Sequence, residues 1–190
     1  MTELLKAAFT DFYRLDFDEL FWLLVVATGC FLTVHERFKK KNGWRIFLAV
    51  AVLGCTVLVV YSTVGSRGEG TSEILHLIPF HSYREIWSGG NPEIYRSNFM
   101  NAVLFYPAGL LAAALLPEKW PGWCKCVLVM VVFGLLSAGI EYVQYTYALG
   151  RCEIDDVIHN TAGALAGSLA ALLMPPLLVW IEGKGKLMWK

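Results

Sequence analysis

Five runs of mostly apolar residues, 17–34, 44–64, 98–116, 126–149 and 157–181, alternate with shorter polar connections along this chain. A helix crossing the hydrocarbon core of a bilayer needs about 20 apolar residues, each rising about 1.5 Å through about 30 Å. Each run therefore predicts a transmembrane helix. The fold class that follows is an all-α membrane protein, a bundle of five spans. Asp16, Asp18 and Glu19 stand before the first run, where a secretory signal would carry positive charge and end in a small-residue cleavage site. The first run is accordingly read as an uncleaved span.

The longest connection is residues 65–97, and it is not uniformly polar. Its Ile-Leu-His-Leu-Ile-Pro-Phe segment at residues 74–80 is too short to cross and contains Pro79. This predicts a re-entrant or interfacial segment near residues 73–88, of a kind tolerated only where protein covers its backbone. A Gly-Gly-Asn-Pro turn at residues 89–92 then resets the chain. The organisation is thus two N-terminal spans in 1–64, a connection in 65–97, and a three-helix core in 98–182.

Composition agrees. Apolar residues make up 56% of the chain and charged ones 17%, below the roughly 25% charged of soluble domains, and the mean hydropathy is +0.52. Sixteen Lys and Arg balance sixteen Asp and Glu, so no excess of positive charge points to nucleic acid. The five cysteines are an odd number without zinc-knuckle spacing and read as free thiols. Orientation follows from the basic residues of alternate connections. Lys6, Arg14, Arg67, Arg84, Arg96 and Arg151 fall on one side; Arg37, Lys39, Lys40, Lys41, Arg45, Lys119, Lys125, Lys184, Lys186 and Lys190 on the other. The richer side is expected in the cytoplasm, which puts the N-terminus outside and the C-terminus inside.

Polar groups inside apolar runs are costly in a membrane and mark candidate function. Ser137, Glu141, Gln144 and Tyr145 share one predicted helical face. Asp156, Asn160, Gly163 and Gly167 form another stripe, with Asp155 and His159 beside it. Gly163-x-x-x-Gly167, flanked by Ala162, Ala166 and Ala170, is suited to close helix approach. One of Asp155 and Asp156 is expected to serve only as a helix-start acid. Asn98 and Asn101 open the third run. These groups all fall at the same end of the bundle, where Arg84, Arg96 and Arg151 are available as partners. Asn101, Glu141, Gln144, Asp156 and Asn160 are expected to converge, with Glu141 paired to Arg84, Arg151 or His159. His76, His81 and His159 with Glu141 have zinc-ligand chemistry but no recognised spacing, so no metal or other cofactor is expected. A Gly-x-Ser-x-Gly nucleophile elbow is absent.

Several of these stretches resemble the VanZ-like family of bacterial membrane proteins, named for an accessory protein linked to teicoplanin resistance. They are His-Leu-Ile-Pro-Phe at 76–80, Asn98 through Pro107-Ala-Gly109-Leu110, and Ser137-x-x-Ile140-Glu141-x-x-Gln144. The last runs Arg151-x-Glu153-Ile154-Asp155-Asp156-Val157 and on to Asn160-Thr-x-Gly163. Together they cover about residues 74–170, leaving the two N-terminal spans outside the strongest match. His76 stands where the family usually has asparagine, and Ala108-Gly109 where it usually has Leu-Gly. The resemblance implies a cell-envelope role and reduced sensitivity to teicoplanin-type glycopeptides.

Two functions fit these residues. In the first, an outer-leaflet pocket binds a lipid-linked envelope precursor or a lipoglycopeptide without chemistry. Arg84, Asn98, Asn101, Glu141, Gln144, Arg151, Asp155, Asp156 and Asn160 would contact the ligand, and membrane lipids would surround the protein. In the second, a membrane-embedded enzyme acts on an envelope lipid or peptide, with Glu141 as general acid or base and Asp156 and His159 as its partners. A small-solute carrier is a third, for which five spans are few. No nucleophile, metal or activated water is evident, which favours binding.

Overall fold

A computed structural model of the chain describes residues 15–41, 43–65, 75–89 and 93–188, with side chains described as far as residue 173. The fold is built of helices: α1 (Phe17–Phe38), α2 (Trp44–Val60), α3 (His81–Trp87), α4 (Glu93–Leu115), α5 (Gly122–Thr146) and α6 (Ile154–Met188). Two residue pairs, β1 (Leu75–His76) and β2 (Cys152–Glu153), form a parallel bridge. Local chemistry sets the ends. Glu19 Oε2 accepts the Asp16 N–H at 2.9 Å to open α1, and Gly43, with φ of 89°, turns the chain into α2. A single π-helical turn, Tyr61–Gly65, extends α2.

Among the described residues four helices are long and apolar enough to cross a membrane: α1, α2 with its π turn, α4 and α5. The protein is therefore a multi-pass membrane protein. The fifth predicted span, 157–181, falls within α6, whose side chains beyond residue 173 lie outside the described residues. The segment predicted near 73–88 is not one continuous helix. Among its described residues it is β1, a turn through Pro79, and the seven-residue α3.

Helix α4 is the central element. Phe105 and Ala108 are fully buried, and Phe133 of α5, Ala164 of α6 and Val59 of α2 pack around them. Phe105 meets the Phe133 ring edge-on with centroids 6.3 Å apart. Ile46, Val50 and Leu53 of α2 and Leu135 of α5 point outward and stay exposed, as side chains do when lipid replaces water outside the bundle.

The closest packing is between α4 and α6, and glycine makes it possible. A Cβ added at Gly163 would lie 2.0 Å from the Ala102 carbonyl oxygen, one at Gly167 2.1 Å from that of Tyr106, and one at Gly109 2.0 Å from that of Ala164. The small-residue stripe expected of Gly163 and Gly167 is thus the α4 contact, answered by Gly109 from the other side. Ala162 and Ala166 are exposed and take no part; Ala164 of α6 and Ala102 of α4 are the alanines that the glycines meet.

Candidate functional site

The crossing brings the first turns of α6 against the start of α4, and the polar residues meet there. Asp155 is 2% exposed. Its Oδ1 accepts the Phe80 N–H at 2.5 Å, and its Oδ2 accepts the Ser82 N–H at 2.8 Å and the Ser82 hydroxyl at 2.5 Å. Phe80 precedes α3 in the left-handed region, with φ of 61°, a conformation costly for a bulky residue. Its own side chain cannot satisfy the open N–H groups of the first turn, so Asp155 does so from another helix. Asn98 Nδ2 donates to Ser82 Oγ at 2.9 Å and closes the cluster. Burial pushes the Asp155 carboxyl up, but the hydrogen bonds from Ser82 and Phe80 outweigh it and hold the group below its ordinary value.

The neighbouring links follow the α6 stripe. Asp156 Oδ1 accepts from Asn101 Nδ2 at 2.7 Å. His159 Nδ1 lies 2.6 Å from the Asp155 carbonyl oxygen, which can only accept. In the neutral ring the proton therefore sits on Nδ1, and Nε2 accepts from the Tyr83 hydroxyl at 2.8 Å. One turn deeper, Asn160 Nδ2 donates to Ser137 Oγ at 2.8 Å. From α5, Glu141 Oε2 accepts the Glu153 N–H at 2.9 Å, and Gln144 Nε2 donates to the Thr63 carbonyl at 2.8 Å. Among the described residues, the buried oxygens Gln144 Oε1 and Asn160 Oδ1 accept no hydrogen bond. Cys152 stands beside these acids: burial first, then the charges of Glu141, Asp156 and Glu153, push its thiol up.

A cleft of about 200 Å³ opens above this band, lined by Ser82, Glu85, Ile94, Ser97, Asn98, Arg151, Glu153 and Asp156. Three carboxylates thus face one guanidinium. Arg151 Nη1 lies 3.6 Å from Glu153 Oε1 with its side chain more than half exposed, a pairing that solvent screens.

Asn98, Arg151 and Asp156 line the cleft, and Asn101, Asp155 and His159 hold its walls. Asn101 and Asp156 are bonded to each other, Glu141 and Asp156 both stand near Cys152, and Asn160 and Gln144 bond Ser137 and Thr63; of these five, Asp156 lines the cleft. The hydrogen-bond partner of Glu141 seen here is a backbone N–H, while Arg151 faces Glu153. Arg84 is exposed on α3 and does not line the cleft. Arg96 Nη2 donates to the Leu15 carbonyl, anchoring the chain before α1. Tyr145 is 39% exposed and leaves the buried face that Ser137, Glu141 and Gln144 share. Neither Asp155 nor Asp156 serves only as a helix-start acid, because each reaches a different element. Among the described residues, no three His, Cys, Asp or Glu side chains are placed to hold a metal ion; His76 stacks on His81 at 4.6 Å. Ser82, Tyr83 and Thr63 were not singled out from the sequence. Ser82 and Tyr83 follow the Pro-Phe pair by two and three residues, which was the available signal.

The VanZ/LLP1 family model matches residues 44–175. The match begins at the first residue of α2 and includes every link of the polar band. Neither a curated protein nor a solved structure matches the chain. A family model that spans more than half of the sequence and contains the whole site decides the assignment: the chain belongs to the VanZ/LLP1 family.

Proposed function

We propose that this is a five-span envelope protein whose loop-end cleft binds a polar group of a lipid-linked envelope component or of a lipoglycopeptide. Reduced sensitivity to teicoplanin-type glycopeptides is the phenotype this reading assigns to it. The observation that carries it is the cleft itself, where, among the described residues, Glu85, Glu153 and Asp156 stand against Arg151. That balance favours hydrogen-bond donors or an ammonium group over the phosphate a basic pocket would select. The segment formed by β1 and α3 lies at the interface in this reading, covered by α4 and α6.

The N-terminus is outside and the C-terminus cytoplasmic in the same reading. The α1–α2 and α4–α5 connections meet in space, with Lys39 Nζ 4.0 Å from Glu118 Oε1, as alternating spans require. They also belong to the more basic set of connections. An enzyme with Glu141 as general acid or base draws less support, because neither Glu141 nor His159 is among the residues lining the cleft.

The test is binding by the full chain in lipid nanodiscs, titrated with a teicoplanin-type lipoglycopeptide and separately with a lipid-linked cell-wall precursor. One of them should bind. Asp156→Asn should weaken that binding about tenfold or more, as expected for loss of a charge-assisted hydrogen bond, while Arg84→Gln should leave it unchanged. Folded protein that binds neither, or an Asp156→Asn variant with full affinity, would remove the basis for this reading.

A further inference from the structure

At the opposite end of the bundle, the α1–α2 turn and the α4–α5 turn enclose a second cleft, of about 370 Å³. Its wall carries four cations, Lys39, Lys40, Arg45 and Lys119, and one acid, Glu118. Lys39 is committed to holding the turns together: its Nζ lies 2.7 Å from Glu36 Oε2 and 4.0 Å from Glu118 Oε1. Lys40, Arg45 and Lys119 have no side-chain hydrogen bond or ion pair among the described residues, so the cleft holds uncompensated positive charge.

The other side of the cleft is apolar. Leu48 is buried, and Leu115 and Leu116 close the floor. Trp44 Nε1 donates to His35 Nδ1 at 3.0 Å, which fixes the indole at the rim. The cleft lies at the turns joining apolar helices, the level at which headgroups meet acyl chains.

We propose that this cleft binds the headgroup phosphate of an anionic phospholipid, with Lys40, Arg45 and Lys119 on the phosphate and the leucine floor against the glycerol and first acyl carbons. A free phosphate ion would use the cations but leave the apolar floor without a function. Basic pockets between helix ends are the usual form of such lipid sites, and a guanidinium can grip phosphate oxygens in pairs. The site is independent of the cleft at the other end.

The experiment is native mass spectrometry of the full chain in mild detergent, offered phosphatidylglycerol and phosphatidylcholine in competition. The wild type should retain phosphatidylglycerol preferentially, and the Arg45→Gln, Lys119→Gln double variant should reduce that preference by about fivefold or more, each cation near the surface supplying a comparable factor. Both residues are exposed, so folding should be unaffected. Lys41→Gln, outside the cleft, should keep the wild-type preference. Equal retention of the two lipids, or an undiminished preference in the double variant, would overturn the proposal. Displacement of the lipid by millimolar inorganic phosphate would show a free-anion site instead, which would overturn it as well.

Discussion

Asp155 Oδ2 accepts two hydrogen bonds from Ser82, from its N–H at 2.8 Å and its hydroxyl at 2.5 Å, across 73 residues of sequence. The relationship makes one carboxylate on α6 responsible for the start of α3. Asp155→Ala should leave these donors unsatisfied and cost about 1–3 kcal/mol, seen as a lower melting temperature in detergent and faster hydrogen exchange in α3. The pH dependence follows from the lowered value of the group. A carboxylate held below its ordinary value stabilises the fold fully above that value, about 3.9, and loses the contribution as pH falls through the lower folded value. The difference in melting temperature between wild type and Asp155→Asn should therefore be largest near neutral pH and shrink below about pH 4. A difference independent of pH would show that the charge contributes nothing.

Glycine substitutions should separate sharply by position. Gly163→Ala drives a Cβ to 2.0 Å from a backbone oxygen of α4 that cannot rotate away, so the helices must part. We expect a loss of about 1–3 kcal/mol, in the range for overpacked cores, and reduced folded yield. Gly139→Ala on α5, with nothing within 4 Å, should be neutral or add up to about 1 kcal/mol from helix propensity. Thermal unfolding of the two variants side by side is the check, and equal effects would contradict the crossing.

Glu141→Gln keeps a carbonyl oxygen able to accept the Glu153 N–H, so folded yield should be close to wild type. Glu141→Ala removes the acceptor and should lower it. If the negative charge matters for function, the Gln variant should lose its phenotype, read as teicoplanin sensitivity of a susceptible host, despite normal expression. A Gln variant with the full phenotype would reduce Glu141 to a structural hydrogen-bond acceptor.

Cys152 should react slowly with thiol reagents. Its thiol is buried and held protonated by burial and the acids around it, and the thiolate is the reactive form. With the other cysteines replaced by serine, labelling should be slow at neutral pH and still rising past the ordinary thiol range. Asp156→Asn should accelerate it. Fast labelling at neutral pH in that single-cysteine background would place the thiol elsewhere.

Much of this architecture is legible in the hydrophobic pattern. Runs of apolar residues locate α1, α2, α4 and α5 because a bilayer imposes length directly on sequence, and Gly163 and Gly167 announce a close crossing because few other residues permit one. The Asp-Asp-x-x-x-Asn run on α6 is legible as polar groups on one end of a helix. What each residue contacts is not. Asp155 finds Ser82, and His159 finds Tyr83, only after the connection before α4 has folded back against α6, and nothing local marks a serine as the hub of a buried cluster. Charge alone points to arginine partners for the acids, and Arg151 does face Glu153; that backbone N–H groups and Asn101 also serve them is not written in the charge pattern. Tyr145 follows helical spacing but sits just past the edge of the buried face.

The glycine crossing also ties completion of the polar band to the arrival of α6. Helix α6 follows α4 and α5 in the chain, yet it supplies the partners for Asn101, Ser137, Ser82 and Tyr83. Until α6 has been synthesised and docked, those hydrogen-bonding groups have no α6 partner and stay exposed to their surroundings. A nascent chain halted before residue 154 would thus lack the α6 partners of these amide and hydroxyl groups, whose exposure to lipid is costly. Completion of the site and maturation of the bundle are, on this reasoning, a single event.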